Sequence, residues 1–141
     1  MGHKSDFRII HFQEHLGEHE GVHDEAVTEL GVDPFTFKEK SSSIKSFDVG
    51  RDPREGYILI QTYDVDFSYH RILINGNDIP SNFDIVAHVE VDAHEARYWR
   101  IWYTTIPNGF LVEGENTIQI IAGDDDDFLI NDVIINFREK D

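Results

Sequence analysis

The apolar positions of this chain fall into short runs and period-two alternations separated by turn residues, with little sign of a long helical stripe. Tyr57, Ile58, Leu59 and Ile60 are consecutive β-formers, the pattern of a strand covered on both faces. Ile72, Leu73 and Ile74 repeat it, and Asn75-Gly76 follows, a dipeptide that accepts positive φ in a tight turn. Two successive core strands are predicted here, at about 57–63 and 69–75. Ile85, Ala87, Val89 and Val91 alternate with Val86, His88, Glu90 and Asp92, which predicts a strand with one face in the core. In 97–105, RYWRIWYTT, Trp99, Ile101 and Tyr103 share one face and Tyr98, Arg100 and Trp102 the other; the first set is assigned to the core.

Further strands are expected at Ile44 to Val49, within Leu111 to Gly123, and over FLINDVIINF near the C-terminus. In that last segment Phe128 and Ile130 keep one phase while Val133, Ile135 and Phe137 keep the other, so a bulge near Asn131-Asp132 would turn both sets inward. The N-terminal third is less regular. Phe7 to Phe12, FRIIHF, suits a first strand, but Gly17, Gly21, Glu18 and Glu20 then interrupt any helix and predict a loop. Val22, Ala26, Val27 and Leu30 fall on one helical stripe ahead of Gly31 and Pro34, consistent with one short helix over about 23–30. Short strands with turn signals and no crossover helix argue for an all-β, antiparallel β-sandwich. The expected organisation is a single domain, with an irregular N-terminal segment over 1–43 packed on a sandwich at 44–138.

Composition narrows the function classes. The chain has 141 residues, 28 acidic against 12 basic, and a net charge of −16, which argues against a phosphate-backbone partner. Only Lys4, Lys38, Lys40, Lys45 and Lys140 are lysines; such a surface suits a salt-rich cytoplasm, where screening relieves self-repulsion, and equally an ordinary acidic protein. There is no cysteine, which removes disulfides and thiolate metal sites. The first 20 residues lack the apolar run of a signal peptide, and no stretch approaches a membrane span. A soluble, cytoplasmic protein is expected.

Two segments carry a family resemblance: ILINGNDIP at Ile72 to Pro80, and LVEGENTIQI at Leu111 to Ile120. Together they resemble the galactose-binding-like jelly rolls, β-sandwich domains used as carbohydrate-binding modules. The match covers roughly residues 44–138. The second segment has its own logic: Leu111 anchors a turn, Gly114 takes a conformation closed to residues with a β-carbon, Asn116 bonds local backbone, and Ile118 and Ile120 start a strand. The resemblance implies a jelly-roll fold and, by analogy, sugar binding, with ligands on variable loops or on one face.

Three constellations bear on chemistry. His11, His15, His19 and His23, with Glu14, Glu18 and Glu20, offer imidazole to zinc, copper or nickel, but match no metal-binding spacing and read better as a solvated loop. His70, His88 and His94 read as surface residues or satisfied hydrogen-bonders. Asp124, Asp125 and Asp127 in the run 124–127, with Asp132, supply the hard oxygens that calcium takes; the competing reading is a solvated acidic turn. Tyr98, Arg100 and Trp102 would offer rings for stacking on a sugar and donors for its hydroxyls if they face outward, and core if they face the other sheet. No nucleophile stands beside a base motif, so a non-catalytic binding module is expected, with carbohydrate as the favoured ligand. The alternative is a structural protein that packs against itself or another protein.

Overall fold

The computed structural model describes residues 2–21, 34–65, 70–80, 99–123 and 126–141. Among these, nine strands run in chain order: β1 His3–Leu16, β2 Thr36–Phe37, β3 Lys45–Val49, β4 Arg54–Tyr63, β5 Arg71–Ile74, β6 Asn77–Asp78, β7 Trp99–Ile106, β8 Gly114–Ile121 and β9 Phe128–Lys140. No helix occurs among the described residues. A five-stranded sheet in the order β2-β1-β9-β4-β7 faces a four-stranded sheet in the order β3-β8-β5-β6. Every pairing is antiparallel except the two-residue contact of β1 with β2.

The two sheets share one core. Ile10, Phe12, Ile58, Ile60, Val133 and Ile135 from the larger sheet meet Phe47, Ile72, Ile74, Ile118 and Ile120 from the smaller. Alternation makes this possible, because period-two side chains from each sheet point into the common layer. The chain is thus an all-β sandwich.

The bulge expected near Asn131-Asp132 is present: Ile60 pairs with Val133 but Thr62 pairs with Ile130, so β9 carries one extra residue there. Phe128, Ile130, Val133, Ile135 and Phe137 are all buried as a result. Asn75 and Gly76 both take positive φ between Ile74 and Asn77, which pair across the turn. Asn116 is fully buried and holds its turn: its Nδ2 donates to Val112 O and Gly114 O, and its Oδ1 accepts from Val112 N and Asn75 Nδ2. Gly114 sits at φ 95°, where a β-carbon would be strained.

Three expectations are corrected. Within the N-terminal segment expected to be irregular, His3–Leu16 is a regular strand, because β1 pairs with β9 from His3 to Leu16 across a bulge between His11 and Glu14. Its alternation is masked in the sequence by apolar Phe7 and Ile9 on the outer side and by Asp6 and Arg8 on the inner. Second, β4 is not covered on both faces: Tyr57 is exposed and Leu59 half-buried, whereas Ile72, Leu73 and Ile74 of β5 are all buried. These two strands lie in different sheets, β4 in the larger and β5 in the smaller. Third, β7 has the opposite phase. Trp102, Thr104 and Ile106 face the core, while Ile101 and Tyr103 are 59% and 46% exposed. With aromatic and aliphatic residues on both faces, periodicity could not choose between them. The helix expected near 23–30, the strand near 85–92, and Tyr98, His23, His88, His94, Asp124 and Asp125 lie outside the described residues.

Candidate functional site

The corrected phase of β7 relocates the candidate site. Trp102 is buried, and its Nε1 donates to Thr62 Oγ1 at 2.6 Å. Arg100 is half-buried on the same face, its guanidinium carbon 5.0 Å from the centroid of a Trp102 ring. A side chain committed to the core cannot stack on a sugar, so Trp102 is not a ligand platform and Arg100 packs on it.

The surface instead carries the residues assigned to the core. Register places Ile9, Ile134, Leu59 and Tyr103 side by side on the outer face of the five-stranded sheet, across β1, β9, β4 and β7. The next row is Phe7, Asn136, Tyr57 and Thr105. Phe7 is 55% exposed and Ile9 50%. No charged residue occupies either row, in a chain with 28 acids. Tyr57 and Tyr103 lie diagonally across β4 and β7 with ring centroids 5.6 Å apart and planes at 41°.

At one end of this face lies a recess of about 250 Å³ lined by Ser5, Asp6, Glu55, Tyr57, Asn136, Phe137 and Arg138. Asn136 is among the lining residues, and its Nδ2 is buried with no hydrogen-bond partner among the described residues. Arg138 is tied to Ser5 Oγ and His3 O and stands 3.4 Å from Glu55. Asp6 accepts from Phe7 N and pairs with Arg8. These contacts, with a smaller contribution from Glu139, hold its carboxyl below the usual carboxylate range. The recess therefore combines a ring, fixed charges and one unsatisfied donor, which is the chemistry of a polar ligand seat.

The histidines and acids converge elsewhere, in pairs. His11 Nδ1 lies 2.6 Å from Asp132 Oδ1. Asp127 takes His15 Nε2 at 2.9 Å and the His19 backbone N–H at 3.0 Å on Oδ1, and His19 Nδ1 at 2.7 Å on Oδ2. Burial pushes the Asp127 carboxyl up, but the bonds from His19 and His15 outweigh it and hold the group below its ordinary value. Gly17, at φ 144°, leaves room for this carboxylate, and a β-carbon there would collide with it. Asp126 Oδ2 lies 2.9 Å from Nε2 of the fully buried His70, whose Nδ1 accepts from Gly123 N. That acceptor role fixes the proton on Nε2, so His70 is a satisfied hydrogen-bonder.

Of the calcium set, Asp127 and Asp132 serve different histidines rather than a common point. Among the described residues no three His, Cys, Asp or Glu side chains are arranged to hold a metal ion. The partnership of the histidines with Asp126, Asp127 and Asp132 was not read from the sequence. The i, i+4 spacing of His11 and His15 is the available signal, since it places both on one side of a strand as readily as on one side of a helix.

A family model described as a family of unknown function, DUF7383, matches residues 4–139. The chain belongs to the DUF7383 family. No curated protein matches this DUF7383 chain. Among solved structures it is similar to dimeric latent PorU from Porphyromonas gingivalis, at 10% identity and a TM-score of 0.53, over 99% of this chain and 13% of that one. The DUF7383 chain thus spans a small part of PorU, and at that identity the likeness concerns the β-fold alone. Among the described residues no helix is long and apolar enough to cross a membrane.

Proposed function

We propose that this protein is a non-catalytic binding module of the galactose-binding-like kind, with carbohydrate as its ligand, seated on the outer face of the five-stranded sheet. The observation that carries the reading is the recess beside the Tyr57 and Tyr103 rings. A pyranose ring has apolar faces and a polar rim, so it pairs with an aromatic side chain below and with donors and acceptors around it. Tyr57 supplies the ring; Glu55 and Arg138 supply the rim. A ligand hydroxyl would give the Asn136 amide the acceptor it lacks, once the neighbouring rings turn aside. The described carboxylates near histidines hold those histidines, which supports binding rather than turnover. The −16 charge supports a partner other than nucleic acid.

A glycan array followed by calorimetry tests the proposal. Binding to a neutral glycan should fall at least tenfold in Tyr57→Ala, with unchanged thermal unfolding. No bound glycan on the array, or binding indifferent to Tyr57, would remove the carbohydrate reading.

A protein partner is the second reading, and one observation favours it. The apolar surface continues past the recess through Ile9, Ile134, Leu59 and Tyr103, with Ile101 exposed beyond them on β7, further than a small glycan reaches, and exposed apolar faces mark interaction surfaces. Ile9→Ser should weaken a protein partner and leave a glycan in the recess unaffected.

A further inference from the structure

Two Asn-Gly dipeptides occur in the chain, Asn75-Gly76 and Asn108-Gly109. Both sit in turns, and both glycines take positive φ, 81° and 93°. Asn followed by Gly is the sequence most open to spontaneous deamidation, because without a β-carbon the glycine nitrogen can approach the side-chain carbonyl of the preceding residue. The structure treats the two very differently.

The Asn75 carboxamide is held at every polar position it has to offer a neighbour. Its Nδ2 donates to Phe110 O and to Asn116 Oδ1, both at 2.8 Å, and its Oδ1 accepts from Thr117 N at 2.9 Å. These bonds hold the carboxamide against Phe110 and β8, so the rotation that attack by the Gly76 nitrogen requires would have to break them. Losing the amide as ammonia would also remove the donor to Phe110 O and to Asn116 Oδ1. Asn108, by contrast, is exposed in the turn closed by Phe110 N on Pro107 O, and its side chain has no hydrogen bond among the described residues. The space beside Gly109 is open, with nothing within 4 Å of where a β-carbon would stand.

We infer that Asn108 is a modification site, converted to aspartate and isoaspartate through a succinimide, while the fold protects Asn75 from the same reaction. The Gly109 nitrogen loses its proton to hydroxide and attacks Asn108 Cγ. The N–Cγ bond forms, the Cγ–Nδ2 bond breaks, and Nδ2 leaves as ammonia after taking a proton from water. A second water opens the ring at either carbonyl. Water and hydroxide are the only co-reactants, and nothing is oxidised or reduced. Each event adds a carboxylate to a chain already at −16, and the isoaspartate product lengthens the backbone between β7 and β8, two residues before the Phe110 carbonyl that Asn75 grips.

The test is to hold the folded protein in mildly alkaline buffer and follow both sites by proteolysis and fragmentation mass spectrometry, beside a sample in guanidinium. Conversion at Asn108 should outpace that at Asn75 by about tenfold or more in the folded protein, because misplacing a reacting group by an ångström carries a penalty of that order or larger. In guanidinium the two rates should converge. Asn116→Ala, which removes one acceptor of the Asn75 amide, should raise conversion at Asn75 and leave Asn108 unchanged. Equal rates at the two sites in the folded protein, or an Asn108 no faster than Asn75, would overturn the inference. If Asn116→Ala does not fold, the comparison of folded and guanidinium samples still decides it.

Discussion

The outer face of the five-stranded sheet has two ends with the same kinds of residue and opposite fates. At one end Tyr63 pairs with Leu129 and Trp99, and Leu129 is only 1% exposed. Phe37 closes edge-on against His15 with centroids 4.9 Å apart, and Phe35 reaches Trp99, the rings 6.2 Å apart. Asp127 ties His15 and His19 together beside them. At the other end Phe7, Ile9, Tyr57 and Tyr103 stand in the same sheet with their side chains in solvent. Residue type does not separate the ends. What separates them is the segment carrying Phe35 and Phe37, which lies over one and not the other, so the covered end is a small second core and the bare end is exposed surface.

That comparison orders the expected effects of mutation. The largest is Leu129→Ala, which opens a cavity in the second core and should cost about 2–5 kcal/mol in chemical denaturation. A cost below about 1 kcal/mol would mean the covering segment is not packed as described. Asn116→Ala, in the turns of the smaller sheet, should cost about 2 kcal/mol, since it removes the partner of Val112 N and leaves buried groups unmatched.

Asp127→Asn should cost about 1–2 kcal/mol by weakening the tie between His15 and His19. Its pH dependence has a definite sign. The carboxyl is held below its ordinary value of 3.8 in the folded protein, so its stabilisation is fully present above that value and is lost as pH falls through and below it. Thermal unfolding of the unmodified protein should therefore lose more stability than Asp127→Asn on going from pH 5 to about pH 3. Parallel curves would show that the histidine contacts do not lower this carboxyl. The smallest effect is Ile9→Ala at the bare end, expected within about 0.5 kcal/mol of the unmodified protein. A cost comparable to Leu129→Ala would show that the bare end is covered after all.

Much of the fold was legible locally. The strands at β3, β4, β5, β8 and β9, the positive-φ turn at Asn75-Gly76, the bulge at Asn131-Asp132 and the self-bonded turn of Asn116 all follow from the spacing of apolar residues and from turn chemistry that a few neighbours enforce. The all-β class follows too, because no segment carries a helical stripe long enough to cross between parallel strands. The candidate site was not legible in the same way. Trp102 and Tyr103 are equally suited to a core by composition, and only the pairing of Leu59 with Tyr103 and the placement of Thr62 beneath Trp102 decide which faces solvent. The same holds for the acids: Asp126, Asp127 and Asp132 are near neighbours in sequence, yet strand geometry and the bulge send Asp126 to His70, Asp127 to His15 and His19, and Asp132 to His11. The sequence by itself determined where strands begin and turn, because those choices depend on residues within a few positions of each other. Tertiary structure alone decided which face of each strand is covered, because burial depends on contacts between segments more than 100 residues apart, such as His11 with Asp132, 121 residues away, which no local pattern records.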